Sequence, residues 1–230
     1  MRRIPYFSFF ISHFSRYTHF WIKFAAMKIL VTSFEPFGGD KLNSAQEALR
    51  FVPDEIRGAK VVKRCLPVAF GRSAAVLREA LRSEKPDAVL CLGQAGGRKA
   101  LTPERVAINL EDARLPDNDG CQPVDEAIDP DGPDAYFSTL PAKSMVRAIR
   151  NAGLPAEISN SAGTFVCNRV MYGLLDCLAH EFPTVRGGFL HVPYMAEQAA
   201  EHPDDPCLPR EDLTRGVTAA IEAIIEQCEV

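Results

Sequence analysis

The chain has 230 residues, of which 47% are hydrophobic and 24% charged, and its formal net charge is −4 at pH 7. This length suits one globular domain with a substantial core, and the composition is typical of a soluble protein. The acidic balance argues against nucleic acid as a partner. Seven scattered cysteines without a Cys-x-x-Cys pair argue against a disulfide framework or a structural zinc site. They favour a reducing, cytoplasmic location.

The first 26 residues differ from the rest, since they hold four basic residues, no acidic residue and nine of the twenty aromatic residues. Polar residues at 12, 13, 15 and 16 interrupt the apolar run, which is too broken for a transmembrane helix, so we expect no membrane partner. A targeting peptide is one interpretation, although a small-x-small cleavage site is missing. We favour an N-terminal extension, disordered or produced by an upstream start codon. Met27 would then begin a single domain over residues 27–230.

Short apolar runs alternate with helical periodicities from residue 27 onwards. Strands are predicted over 28–33, 60–66, 87–92, 105–110, 156–160 and 188–192. Helices are predicted over 44–51, 72–83, 141–151, 165–181 and 211–228. This alternation predicts an α/β fold, a three-layer α/β/α sandwich around a largely parallel, mixed sheet. Residues 112–139 are rich in Asp, Pro and Gly, which predicts a long ordered or mobile loop of the kind that is often a functional element.

Unusual segments follow several predicted strands, at the sheet edge where ligands collect in such folds. They are Phe-Glu-Pro-Phe-Gly-Gly at 34–39, Gly-Gln-Ala-Gly-Gly-Arg at 93–98 and Ser-Ala-Gly-Thr at 161–164. The glycine-rich segment is not a dinucleotide fingerprint, and no Walker lysine follows it. Phe34 and Phe37 either wall a small apolar pocket or belong to the core.

Cys167 is the candidate nucleophile because it falls in the first turn of a predicted helix. Unpaired amides and the positive end of the helix dipole favour a thiolate there, which is the attacking form of cysteine. The alternative is a small buried hydrophobic residue, which is what a cysteine after an apolar strand most often is. On its own, the cysteine does not decide between them.

Three histidines follow residue 27. His180 lies near the end of the helix that Cys167 begins, about 20 Å away, and reads as a helix-end cation. His202 lies in a segment with the composition of a surface loop. His191 ends a strand that can lie beside the nucleophile, which suits a base for acyl transfer, or else it is a hydrogen-bonded structural residue. Among several acidic residues, Glu104 either orients this histidine or forms a surface ion pair with Arg105.

Six motifs taken together resemble the bacterial pyroglutamyl-peptidase I family, over residues 27 to about 197. In chain order they are Phe-Glu-Pro-Phe-Gly-Gly, Gly-Gln-Ala-Gly-Gly-Arg, Thr-Pro-Glu-Arg-Val-Ala-Ile-Asn, Ala-Arg-Leu-Pro-Asp-Asn, Ser-Ala-Gly-Thr-Phe-Val-Cys-Asn and Gly-Gly-Phe-Leu-His-Val-Pro-Tyr. The resemblance implies a phosphorylase/hydrolase-like α/β fold. It also implies a cysteine peptidase that removes N-terminal pyroglutamate from peptides through a thioester, without a metal or cofactor.

Motif by motif, the resemblance assigns Cys167 as nucleophile, His191 as base and Glu104 as the orienting carboxylate. Arg114 falls on an arginine that helps to stabilise the oxyanion. The pyroglutamyl pocket maps onto Phe34, Phe37, Gln94, Leu115, Phe165 and Val166. Glu35 and Val68 depart from some relatives, and neither belongs to the triad. The family also suggests a cytoplasmic homotetramer.

Two rival functions use the same features. A nucleoside phosphorylase or hydrolase can share this architecture, and its phosphate or ribose site would lie in the glycine-rich loops. A small-ligand binding protein would use the aromatic slot with an inert Cys167. A thiol redox protein is poorly supported without a Cys-x-x-Cys pair.

Overall fold

The computed structural model describes residues 26–228, so the expectation for an N-terminal extension lies almost wholly outside the described residues. The strands of this range are β1 Lys28–Phe34, β2 Glu55–Ile56, β3 Ala59–Leu66, β4 Ala88–Gln94, β5 Thr102–Pro103, β6 Val106–Ile108, β7 Ala135–Phe137, β8 Arg186–Val192, β9 Tyr194–Met195 and β10 Cys207–Leu208. Its α-helices are α1 Ser44–Phe51, α2 Ser73–Glu84, α3 Ala142–Asn151, α4 Val166–His180 and α5 Arg210–Cys228.

A six-stranded sheet in the order β2-β3-β1-β4-β8-β5 forms the middle of the fold. The four long strands β3, β1, β4 and β8 are parallel, and the two short edge strands β2 and β5 are antiparallel to their neighbours. The predicted mixed, largely parallel sheet is therefore confirmed. Two further two-stranded sheets pair β9 with β10 and β6 with β7.

Two apolar cores lie on opposite faces of this sheet. Ile29 and Val31 point into the core under α1, α3 and α5, whereas Leu30 points into the core under α2 and α4. This alternation follows from the two-residue period of a strand, and it lets each long strand bury both faces. The arrangement is the predicted α/β/α sandwich.

All five predicted helices are present, and their ends differ from the prediction by at most one residue. Helix α1 begins cleanly because the side chain of Asn43 accepts hydrogen bonds from the amides of Ala45 and Gln46. Helix α2 stops where Lys85 adopts a left-handed conformation with φ of 49°. Each described helix is too short or too polar to span a bilayer.

Two strand predictions are wrong in part. Residues 156–160 form only isolated parallel bridges, Leu101 to Ala156 and Glu104 to Ser159, because Pro103 lacks the amide that would complete the ladder between them. The strand predicted over 105–110 shrinks to β6 and pairs with β7 outside the central sheet. There, the side chain of Asn168 binds the amide and carbonyl of Ile108 and the carbonyl of Leu110, which occupies groups that a neighbouring strand would use.

The predicted loop over 112–139 is largely irregular, apart from β7, and is held by side chains rather than by a sheet. Buried Asp117 accepts hydrogen bonds from the amides of Phe70, Asp119 and Cys121 at 2.7, 2.9 and 2.8 Å. The carboxylate therefore ties this loop to the segment that precedes α2. Carboxylates that accept several backbone N–H bonds are among the stronger polar anchors in proteins.

We predict that Asp117→Ala lowers the free energy of unfolding by about 2–3 kcal/mol, because it leaves the buried amide of Phe70 and two partly buried amides without their acceptor. The matched control is Asp119→Ala, which removes only an exposed ion pair with Arg72 and is expected to cost less than about 1 kcal/mol. Thermal and urea unfolding of both variants measure the difference. Equal losses would show that Asp117 does not anchor the loop.

Candidate active site

Cys167 is the second residue of α4. The N-cap residue, Phe165, has an extended backbone, and within the described residues no side chain caps the helix. The amides of the first turn consequently remain free to bind an anion. The predicted position of the cysteine at a helix start is confirmed.

Gly93 explains how the sulfur approaches the sheet. In the β4–β8 register, Gly93 pairs with His191, and paired residues of neighbouring strands point to the same face of a sheet. A Cβ atom on Gly93 would lie 2.9 Å from the Sγ atom of Cys167 and 2.8 Å from the ring of Phe189. The sulfur therefore occupies the space that a side chain at position 93 would fill, beside His191.

The imidazole of His191 is fixed by a buried carboxylate. Its Nδ1 atom lies 2.7 Å from Oε1 of Glu104, and the two residues are only 4% and 1% exposed. Since a carboxylate accepts hydrogen bonds, Nδ1 carries the hydrogen, and the other ring nitrogen, Nε2, is left as a base. Glu104 reaches this position because β5, directly before it, pairs Thr102 with His191.

Glu104 does not form the surface ion pair with Arg105 that the sequence left open as an alternative. Arg105 donates instead to the side chain of Asn160. The cation that contacts Glu104 is Arg98, whose Nη1 atom lies 2.6 Å from Oε1. Sequence reasoning marked the glycine-rich segment that ends at Arg98 but assigned this arginine no role.

Burial works against the thiolate that the start of the helix favours. Burial raises the pKa of the Cys167 thiol to about 12, the negative charge of Glu104 adds to the rise, and Arg98 opposes it. Burial also lowers the pKa of His191 below its ordinary value, although the hydrogen bond with Glu104 opposes this shift. At neutral pH the resting pair is a neutral thiol beside a neutral imidazole.

Glu104 is the charged member of this group. Burial alone would raise the pKa of its carboxyl group. The hydrogen bond and charge of His191, with Ser159 and Arg98, hold the pKa below the usual value instead. The carboxylate is therefore ionised at neutral pH, although its side chain is fully buried.

A cavity of about 620 Å³ opens beside Cys167 and His191. Phe37, Gln94, Arg114, Leu115 and Phe165 are among its lining residues. The two remaining predicted pocket residues, Phe34 and Val166, lie instead in a small apolar recess that adjoins it. Phe37, Gln94, Phe165 and Cys167 line both spaces. All the predicted site residues thus meet at one place except Glu104, which stands behind His191.

His202 lines the cavity, although the composition around it predicted a surface loop. The ring of His202 stacks on Tyr194 with centroids 3.9 Å apart, and its Nε2 atom lies 2.8 Å from Oδ1 of Asp40. Both His202 and Asp40 line the cavity. Asp40, Glu201 and His202 also bring ligand-type atoms within 4.8 Å of one another. Asp40 is already bonded to His202 and Gln94, and we interpret the group as a hydrogen-bond network.

Gln94 holds the loops of this wall together. Its Oε1 atom accepts hydrogen bonds from the amide of Ser44 and the side chain of Gln198, at 2.8 and 3.0 Å. Its Nε2 atom donates to Asp40 at 3.0 Å. Only one hydrogen of the amide group remains for a ligand, so the side chain mainly shapes the pocket.

Residues 27–227 match the sequence family described as pyroglutamyl peptidase. The pyrrolidone-carboxylate peptidase of Lactobacillus johnsonii is 52% identical over 201 residues, which are 87% of this chain and 94% of that protein. A pyrrolidone-carboxylate peptidase of Streptococcus pneumoniae is 54% identical over 200 residues, again 87% and 94% of the two chains. The chain belongs to the pyroglutamyl peptidase family.

Solved structures of the pyroglutamyl peptidase family share the fold. The crystal structure of pyroglutamyl peptidase I from Bacillus amyloliquefaciens superposes with a TM-score of 0.83 at 44% identity, covering 87% of this chain and 97% of that one. A mutant pyrrolidone carboxyl peptidase from Pyrococcus furiosus gives 0.84 at 42% identity, covering 88% and 100%. The expected family, enzyme class and fold are thereby confirmed.

The two departures from the family pattern contact each other, and one of them lines the apolar recess. Val68 lines the recess, and its amide donates to the carboxylate of Glu35, which also accepts from the side chain of Asn118. Glu35 therefore acts on the pocket indirectly, by holding the backbone of Val68.

The raised thiol pKa predicts how Cys167 reacts with iodoacetamide. Because the thiol is protonated at neutral pH, the alkylation rate of Cys167 should rise steadily from pH 6 to pH 10 without a plateau. Mass spectrometry of the peptide that contains Cys167 measures this rate, and exposed Cys121 provides an internal reference. A plateau already reached near pH 7 would show a resting thiolate and contradict the burial argument.

Proposed function

We propose that this chain removes N-terminal pyroglutamate from peptides, with Cys167, His191 and Glu104 as its catalytic triad. One observation carries the proposal. The sulfur of Cys167 lies at the edge of an apolar recess and beside His191, whose Nδ1 atom is held by the buried carboxylate of Glu104. Nucleophile, base and orienting group on neighbouring elements form the arrangement that acyl transfer requires.

The lining of the recess, rather than its volume of about 10 Å³, suits an uncharged lactam ring. Its walls are the aromatic rings of Phe34, Phe37 and Phe165 with the side chains of Val68 and Val166, and Cys167 lies at its edge. No carboxylate lines this space within the described residues, so it offers no charged partner to the ammonium group of an ordinary N-terminus. An apolar recess whose only polar amide side chains among the described residues are Asn43 and Gln94 favours the uncharged pyroglutamyl ring over a charged terminus.

The reaction begins from the neutral pair. Nε2 of His191 takes the proton from Sγ of Cys167 as the sulfur attacks the pyroglutamyl carbonyl, which forms a C–S bond and an oxyanion. The imidazolium then gives its proton to the leaving amine, and the C–N bond breaks to leave a thioester. Water, deprotonated by the same imidazole, releases pyroglutamate and restores the thiol.

Two sets of donors are placed to stabilise the oxyanion. The free amides at the start of α4 carry the positive end of the helix dipole. The guanidinium of Arg114 lines the same cavity and adds a charge. The outer cavity, bounded by Leu115 and Tyr194, provides room for the peptide beyond the scissile bond.

We also propose that residues 27–230 form one peptidase domain, since elements from β1 to α5 share the same cores. A cytoplasmic location fits the seven cysteines, all of which are free. The homotetramer rests on the family resemblance alone, and the mass of the native particle in solution tests it.

Hydrolysis of a pyroglutamyl arylamide tests the triad. We expect Cys167→Ser and His191→Ala to lose at least about a thousandfold in kcat, and Glu104→Gln at least about a hundredfold, because the neutral amide no longer fixes the tautomer. Circular dichroism should show that all three variants are folded.

The control is Cys121→Ser, in an exposed loop position, and it should keep wild-type activity. Full activity of Cys167→Ser would refute the proposed function. Wild-type turnover by Glu104→Gln would reduce Glu104 to a structural residue. Phosphate-dependent cleavage of a nucleoside that survives Cys167 alkylation would support the rival enzyme class.

A further inference from the structure

Arg98 joins three segments that build the site. Its Nη1 atom donates to Oε1 of Glu104 at 2.6 Å and also to the hydroxyl of Thr102, the residue paired with His191. Its Nη2 atom donates to the carbonyl of Ser161 at 3.1 Å, in the turn that leads into α4 and Cys167. One guanidinium thus connects the carboxylate, the strand beside the base and the turn before the nucleophile.

The Glu104 carboxylate depends on this contact. Its Oε1 atom is shared by the imidazole and the guanidinium, while its buried Oε2 atom has no hydrogen-bond partner among the described residues. The glutamate side chain is fully buried, whereas that of Arg98 is 27% exposed. An ionised carboxylate in such a place is costly unless a cation accompanies it, and the cation in contact with Glu104 is Arg98.

We propose that Arg98 is a positioning residue for the proposed triad, which holds Glu104 in place and balances its charge. This inference rests on the function proposed above. Arg98 acts through Glu104 and does not touch the reacting atoms. The fork of the guanidinium is essential to the role, because it binds a carboxylate and a carbonyl at once with fixed geometry.

The charge of Arg98 also sets the protonation of the reacting pair. The ionisable groups that act on His191 are Glu104 and Arg98, and Arg98 lowers the pKa of the imidazole. Those that act on Cys167 are Glu104, Arg98 and Cys91, and Arg98 lowers the pKa of the thiol. Without Arg98, the uncompensated Glu104 would raise both pKa values, so His191 would become an effective base only at higher pH.

Two substitutions separate the effect of the charge of Arg98 from the effect of its hydrogen-bond geometry. In Arg98→Met, kcat/KM for a pyroglutamyl arylamide should fall about 10- to 100-fold because the triad is displaced, and the acid limb of its pH profile should move to higher pH. In Arg98→Lys, kcat/KM should also fall, because an ammonium lacks the planar fork. Its acid limb should stay near that of the wild type, since the charge remains.

The matched control is Arg105→Met, which removes a neighbouring arginine that contacts Asn160, and it should match the wild type in rate and pH profile. If Arg98→Met is indistinguishable from this control, the inference is overturned. Should Arg98→Met fail to fold, Arg98→Lys decides, because wild-type kcat/KM in that variant contradicts the positioning role. A wild-type protein that does not hydrolyse the substrate would instead refute the proposed function itself.

Discussion

One oxygen atom, Oε1 of Glu104, sets the chemistry of the site. It accepts a hydrogen bond from the imidazole of His191, which is buried, and another from the guanidinium of Arg98, which is partly buried. The first contact places the free electron pair on Nε2 of the imidazole, where a base is needed. Together with the first, the second contact helps to keep the carboxylate ionised in a buried place. Without the first contact, the ring hydrogen of His191 would no longer be held on Nδ1. Without the second, the charge of Glu104 would lack its neighbouring cation.

The central sheet supplies the second constraint, because it determines how closely the sulfur of Cys167 approaches His191. Parallel register aligns Gly93 with His191, and the absence of a side chain at Gly93 lets Sγ of Cys167 settle against the sheet. The buried position of the sulfur has an electrostatic consequence, because burial raises the pKa of the thiol and favours its protonated form. Proton transfer to His191 is then part of the attack itself, and the sulfur stands where the open cavity and the apolar recess meet.

Sequence patterns predicted the helices, the long parallel strands and the segments that meet at the cavity, because these depend on periodicity and on strand order. They missed features that depend on contacts between distant segments. Pro103 interrupts a ladder whose partner lies more than fifty residues away, and the polar segment around His202 folds back so that its ring stacks on Tyr194. The role of Arg98 was likewise invisible, since three separate segments must meet before its contacts exist. The depth of Cys167 is not encoded in its local sequence either.

The most direct test of this account is nitrogen NMR of the His191 ring in the resting protein at pH 7, assigned by comparison with His191→Ala. We expect a neutral imidazole with its hydrogen on Nδ1 and a bare Nε2, because Glu104 accepts from Nδ1 and the thiol of Cys167 keeps its own proton. An imidazolium with hydrogens on both nitrogens would show a thiolate–imidazolium pair and contradict the account.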